Sequence, residues 1–324
     1  MRSRRSYVLL AASAALVLSG CGTTEAPRDE TGGGGAQISV TDSRGKQIVL
    51  DSPATEVVGL EWNAVEHLVS LGVMPVGVAD VKGYGNWVSA APLDDSVTEV
   101  GVRGEPSIDS IAALAPDLVL ATSDLPEAAV AQLERFTPVL VLRPADAAKG
   151  IEQMRDNVRI VAEVTGRQDS ADRLLADFDA KLAEGAQALA AAGLAGERFA
   201  FADAFLDGSQ VSIRPFADGS LICEVTEAMG MVNAWKMEGD AEYGLAETDV
   251  EGLTALGDVR FLYIVNDADG GDPFTDVLAG NAIWQSLPFV QNGHVYRLPD
   301  GIWMFGGPAS MQQYIDAVVQ ALTA

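Results

Sequence analysis

Residues 147–166 read AAKGIEQMRDNVRIVAEVTG, and this run decides the fold. Ile151, Met154, Val158, Val161, Ala162 and Val164 recur at helical spacing, so one apolar stripe runs along the segment. Gly166 breaks it, and an alanine-rich second helix follows from Asp169. Residues 147–192 are almost wholly helical in pattern. The chain on either side is built differently.

Before the helical stretch, short apolar runs alternate with helices. Val57–Leu60, Val76–Ala79, Leu118–Ala121 and Val139–Leu142 read as strands. Trp62–Leu71, Ile108–Leu114 and Leu125–Phe136 read as helices. Ile38–Asp42 and Gln47–Leu50 alternate around Ser43-Arg44-Gly45-Lys46, a hairpin signal. After the helical stretch the alternation resumes with Phe199–Phe205, Leu221–Met229, Val250–Leu256 and Phe261–Val265, then a last helix from Ala309. Apolar strands between helices imply largely parallel sheets covered on both faces. The expectation is an α/β fold of two Rossmann-like lobes joined by a single long helix. Its parts are an N-terminal lobe at 38–145, a linking helix at 146–167 and a C-terminal lobe at 168–324.

The first 20 residues read as an export signal. Arg2, Arg4 and Arg5 form a basic start, Tyr7–Leu18 an apolar run, and Leu18-Ser19-Gly20-Cys21 a small-residue close. The last four residues resemble a lipobox, which implies cleavage before Cys21 and acylation of its thiol. Ser3-Arg4-Arg5-Ser6-Tyr7-Val8-Leu9 also resembles a twin-arginine signal, so the export route stays open. Residues 21–37 carry four consecutive glycines and read as a flexible tether. As a random coil it would reach roughly 20–25 Å. The expected location is the outer face of a membrane, held by lipid.

The whole chain carries 21 basic and 46 acidic residues. Removing the three signal arginines leaves 18 against 46, a net charge of -28. Such a surface repels nucleic acid and anionic lipid. With Cys21 acylated, Cys223 stands alone, and a buried structural thiol is the expected role. His67 and His294 are the only histidines, which argues against a bare transition-metal site. No G-x-S-x-G elbow, P-loop, H-E-x-x-H or Cys-x-x-Cys is present, so no catalytic residues are expected.

The chemistry must then lie in binding. Trp62, Trp87, Trp235 and Trp303 fall at element ends or in loops, with Trp87 following Gly83-Tyr84-Gly85-Asn86. Taken singly, each suits packing as well as binding. With Tyr84, Tyr243 and Phe305 they suggest an aromatic-lined site. Arg103 lies in Gly101-Val102-Arg103-Gly104-Glu105-Pro106-Ser107, between a strand and a helix. It either pairs with Glu105 or offers a fork of donors to ligand oxygens. Asp109 and Glu251 occupy matched places, each one residue into a short helix that leads to an apolar strand. A charge favourable to the helix N-terminus explains both equally well.

These residues together resemble a known family. The stretches are Leu60-Glu61-Trp62; Gly77-Val78-Ala79-Asp80 through Trp87-Val88-Ser89; Val100-Gly101-Val102-Arg103-Gly104-Glu105-Pro106; Asn233-Ala234-Trp235; Ile283 to Val290; and Trp303-Met304-Phe305-Gly306. Their order is similar to that of the helical-backbone binding proteins of ABC importers, ferric hydroxamate siderophore type. The resemblance implies a ligand cleft between the lobes, with Trp62, Trp87, Arg103, Tyr243, Trp303 and Phe305 as ligand-binding residues. It implies a ferric siderophore as ligand, with iron held only through it and no cofactor of the protein's own. It implies an ABC permease as partner, docked on Asp109 and Glu251 with Glu105 as a near alternative, and a monomer. The loop Thr122-Ser123-Asp124-Leu125 departs from the pattern, lacking a tyrosine that some relatives place there. A neutral tris-hydroxamate core suits one arginine and aromatic walls, whereas a trianionic tris-catecholate would want several cations, and no second arginine lies in a matched motif. Haem, cobalamin and catecholate chelates remain as alternative ligands.

Overall fold

A computed structural model describes residues 37–208 and 210–324. The export signal 1–20, the lipidation site Cys21 and the tether up to residue 36 lie outside the described residues.

The N-terminal sheet has five parallel strands. Val57–Gly59 sits at its centre, flanked by Gly77–Val78 and Leu118–Thr122, with Thr98–Glu99 and Val139–Leu142 at the edges. All of Leu118–Thr122 and Val139–Leu142 is buried, as expected of parallel strands covered on both faces. The hairpin Ile38–Thr41 with Gln47–Leu50 forms as expected. The second sheet is mixed. Arg198–Asp207 runs parallel to Arg260–Tyr263, which runs parallel to Val295–Arg297. Gln210–Pro215 adds an antiparallel edge to it. The sequence reading did not single out that edge strand, although its burial alternates residue by residue.

The linking helix spans Gly150–Thr165, and its stripe explains how two sheets share one compact unit. Ile151 and Met154 pack into the core of the second sheet with Phe178, Phe201 and Met311. Val158, Val161, Ala162 and Val164 pack into the core of the first with Leu68, Leu118 and Leu140. Each of the valine, isoleucine and methionine side chains contributes about 1.5–3 kcal/mol when removed from water. One helix is therefore anchored in both cores, which opposes large lobe rotation. Its first turn is capped from the second lobe, where Glu224 Oε2 accepts the Ile151 N–H at 2.8 Å.

Three sequence expectations shift. Trp87 ends a helix, Val81–Trp87, rather than standing in a loop. Gly83 and Gly85 hid this helix, but the Asp80 carboxylate caps it by accepting the Gly83 N–H at 3.0 Å. Asp80 adopts φ 58° to do so, a region Asp tolerates better than most residues. The helix expected over Leu125–Phe136 shortens to Glu127–Leu133, behind Pro126. The helix around Glu251 is a single tight turn, Gly252–Ala255.

Candidate functional site: an aromatic cleft between the lobes

Glu61 follows the central strand Val57–Gly59 and opens the helix Trp62–Ser70, accepting the Trp62 N–H at 2.9 Å. The position places Glu61 and Trp62 at the C-terminal edge of a parallel sheet, where α/β ligand sites form. Arg103 comes from the tip of the small hairpin Gly101–Val102 and Glu105–Pro106. It does not pair with Glu105. Its Nε donates to Glu61 Oε2 at 3.0 Å, and Nη2 lies 2.9 Å from Glu61 Oε1. The guanidinium sits 4.2 Å from the ring centre of Trp62 and 5.2 Å from that of Trp303.

From Trp303 the aromatic wall continues. Trp303 meets Trp62 edge-on at 4.9 Å, Trp87 at 5.8 Å and Phe305 at 5.0 Å. Tyr243 meets Phe305 edge-on at 5.5 Å. All six sequence-derived candidates, Trp62, Trp87, Arg103, Tyr243, Trp303 and Phe305, line one cleft of about 460 Å³. That volume falls within the usual range for small-molecule sites, about 300–1,000 Å³. Trp235 does not join them: it is buried in the second sheet's core, its indole N–H bonded to the Phe201 carbonyl at 2.9 Å. Tyr84 is likewise buried, donating to the Ala91 carbonyl at 2.6 Å.

The structure adds groups that the sequence reading missed. Arg214, on the antiparallel edge strand, also lines the cleft. Its Nε donates to Asp203 Oδ1 at 2.9 Å and a second bond joins Nη2 to the same carboxylate. Its guanidinium sits 5.3 Å from the Phe305 ring centre. The expectation of a single cleft arginine is thus corrected to two, one per lobe. No local motif marked Arg214, because its place depends on a strand pairing. Burial pushes both partner carboxyls, Glu61 and Asp203, above the usual range, and the adjacent arginine opposes that push. Each cation is therefore matched by its own acid, and the cleft carries no surplus positive charge.

Two rim aromatics reach across the cleft to acids of the opposite lobe. Trp87 Nε1 donates to Asp269 at 2.8 Å, and the Tyr243 hydroxyl donates to Asp124 at 2.6 Å. Burial, and then the Asp124 carboxylate, push the Tyr243 hydroxyl far above its ordinary pKa. Asp124 occupies the loop where the resemblance noted a missing tyrosine. Asp109 and Glu251 lie away from the cleft, exposed at the starts of their short helices. Cys223 is fully buried and its thiol donates to the Phe216 carbonyl at 2.8 Å. Among the described residues no group of three or more His, Cys, Asp or Glu is arranged to hold a metal ion.

A family model for periplasmic binding proteins matches residues 57–301. This chain belongs to that family. The iron(3+)-hydroxamate-binding protein FhuD of Escherichia coli is 28% identical over 269 residues, covering 82% of this chain and 86% of that protein. The putative ABC transporter substrate-binding lipoprotein YhfQ of Bacillus subtilis is 27% identical over 276 residues, covering 82% of each. Among solved structures, the Fe3+–Desferal-bound siderophore binding protein FhuD from Vibrio cholerae superposes with a TM-score of 0.74. It is 26% identical, and the match covers 83% of this chain and 98% of that one. The two-lobed α/β architecture is that of these binding proteins.

Proposed function

We propose that this protein captures a ferric siderophore of hydroxamate type outside the cytoplasm and hands it, chemically unchanged, to an ABC importer. The observation that carries the reading is the cleft itself: five aromatic walls around two arginines, each neutralised by its own carboxylate. Three singly charged hydroxamates on Fe3+ make a neutral complex. Such a complex loses little on leaving water for aromatic walls, and the spare N–H groups of Arg103 and Arg214 can meet its oxygens. A trianionic tris-catecholate would bring three charges to a cleft with no free cation and a protein carrying a large negative charge. The iron(3+)-hydroxamate and Fe3+–Desferal ligands of the two FhuD relatives support the hydroxamate reading.

The protein acts as a monomer without a cofactor or catalytic residues, and Cys21 carries a lipid that keeps the domain beside its permease. Asp109 and Glu251, one exposed carboxylate per lobe, are the docking points for permease cations, and Glu105 adds to the first. The test is a tryptophan-quenching titration with ferrioxamine B, ferrichrome and a ferric tris-catecholate. The hydroxamates should quench at sub-micromolar concentration and the catecholate should bind at least about 100-fold more weakly. Absence of quenching by every ferric hydroxamate would sink the ligand class.

A further inference from the structure

The C-terminal helix Pro308–Thr323 starts without a cap of its own. Its cap position is Gly307, which has no side chain to accept the orphan N–H groups of the first turn. Those groups are met from the other lobe. Glu66, on the helix that begins at Trp62, is fully buried. Its Oε1 accepts the Ser310 N–H at 2.9 Å and its Oε2 accepts the Ser310 hydroxyl at 2.7 Å. The two partners are 244 residues apart in the chain.

The geometry makes this contact specific. A Cβ on Gly306 would lie 2.3 Å from Glu66 Oε2, and one on Gly307 would lie 2.6 Å from His67 Nδ1. The paired glycines let the backbone come within bonding distance of the helix. Gly306 in turn closes a turn onto the Trp303 carbonyl at 3.0 Å, so the anchored segment carries Trp303 and Phe305 directly. On the opposite side, Glu66 lies four residues after Trp62, on the same helix face. One helix thus touches the second lobe twice: Trp62 packs on Trp303 at the cleft, and Glu66 holds the end of the same loop one turn deeper.

We infer that Glu66 is a positioning residue for the ligand cleft. As a helix cap supplied across the lobe junction, it sets the register of Trp303 and Phe305 against Glu61, Trp62 and Arg103. This rests on the cleft being the ferric hydroxamate site, but the register itself can be read without ligand. Amide hydrogen exchange over residues 303–311 and ferrioxamine B affinity are measured for the wild type, Glu66→Ala, Glu66→Gln and Ser310→Ala. Val318→Ala, a core change elsewhere on the same helix, serves as a control for lost stability. Well below their melting temperatures, Glu66→Ala should exchange faster at 303–311 and bind about tenfold more weakly. Glu66→Gln, which keeps an acceptor, should recover most of both, and Val318→Ala should leave affinity unchanged. Should Glu66→Ala not fold, Ser310→Ala removes one of the bonds and should show the same changes at smaller size. Folded Glu66→Ala or Ser310→Ala with wild-type exchange at 303–311 overturns the inference, as does an affinity loss shared equally by Val318→Ala. Failure of the wild type to bind any ferric hydroxamate overturns the functional reading instead, and the exchange data still decide the role of Glu66.

Discussion

Replacing Arg103 by alanine separates the two jobs that this side chain performs. Of its five N–H donors, two are engaged with Glu61, at 3.0 and 2.9 Å, and three remain for ligand or solvent. A charge-assisted hydrogen bond to a ligand oxygen contributes about 1.5–3 kcal/mol. The guanidinium stacked on Trp62 at 4.2 Å adds about 0.5–1 kcal/mol by holding that ring in place. Together these come to about 2–4 kcal/mol, so ferrioxamine B affinity should fall by about 30- to 700-fold in Arg103→Ala. Stability should also fall, because Glu61 loses the cation it is paired with. Its carboxyl, already raised by burial, then rises further. A raised acid favours the folded state at low pH and loses that contribution as pH climbs from its unfolded value through its folded one. The variant should consequently be destabilised more at pH 8 than at pH 5. Adding Glu61→Gln should restore stability at pH 8 without restoring affinity. Quenching titrations and thermal melts of the two variants measure both effects. An Arg103→Ala protein that binds within twofold of wild type, or a double variant that regains full affinity, refutes the assignment of Arg103 to the ligand.

Two further outcomes follow from the same geometry. Burial holds His67 neutral with a pKa lowered to about 4; a lowered histidine stabilises the fold above its unfolded value near 6.5, and that contribution is lost as pH falls between the two. Chemical denaturation should show about 3 kcal/mol less acid-induced loss in His67→Gln than in wild type, and parallel curves would contradict it. Tyr243→Phe keeps the ring against Phe305 but deletes the bond to Asp124. Its ferrioxamine B affinity should change by less than about threefold, whereas Tyr243→Ala should lose about tenfold or more; equal losses would show that the hydroxyl rather than the ring matters.

Order and type of the elements were legible because they rest on local rules. The apolar stripe from Ile151 to Val164, the fully apolar runs Leu118–Ala121 and Val139–Leu142, and the glycine that ends the linking helix each follow from spacing alone. The resemblance of their motifs pointed to Trp62, Trp87, Tyr243, Trp303 and Phe305, whereas position in the chain alone pointed equally to Trp235 and Tyr84, which are core residues. Where sequence rules failed, the cause was again local: Gly83 and Gly85 disguised a helix whose start is fixed by Asp80, and Pro126 shortened its neighbour.

What only the tertiary structure decided is which charges meet. Arg103 could have paired with Glu105 two residues away, yet it pairs with Glu61, 42 residues away. Arg214 reaches the cleft because a strand folds back beside Arg198–Asp207 and sets it against Asp203. Glu66 caps a helix 244 residues further on. Spacing along a chain specifies which face of an element is apolar, because periodicity is a property of the element. Ion pairs and caps between elements depend on how the lobes pack, and no periodicity encodes that. The sequence by itself thus determined a two-lobed α/β protein with an aromatic site. The packing of the lobes made that site a cleft whose two arginines are both already matched by acids.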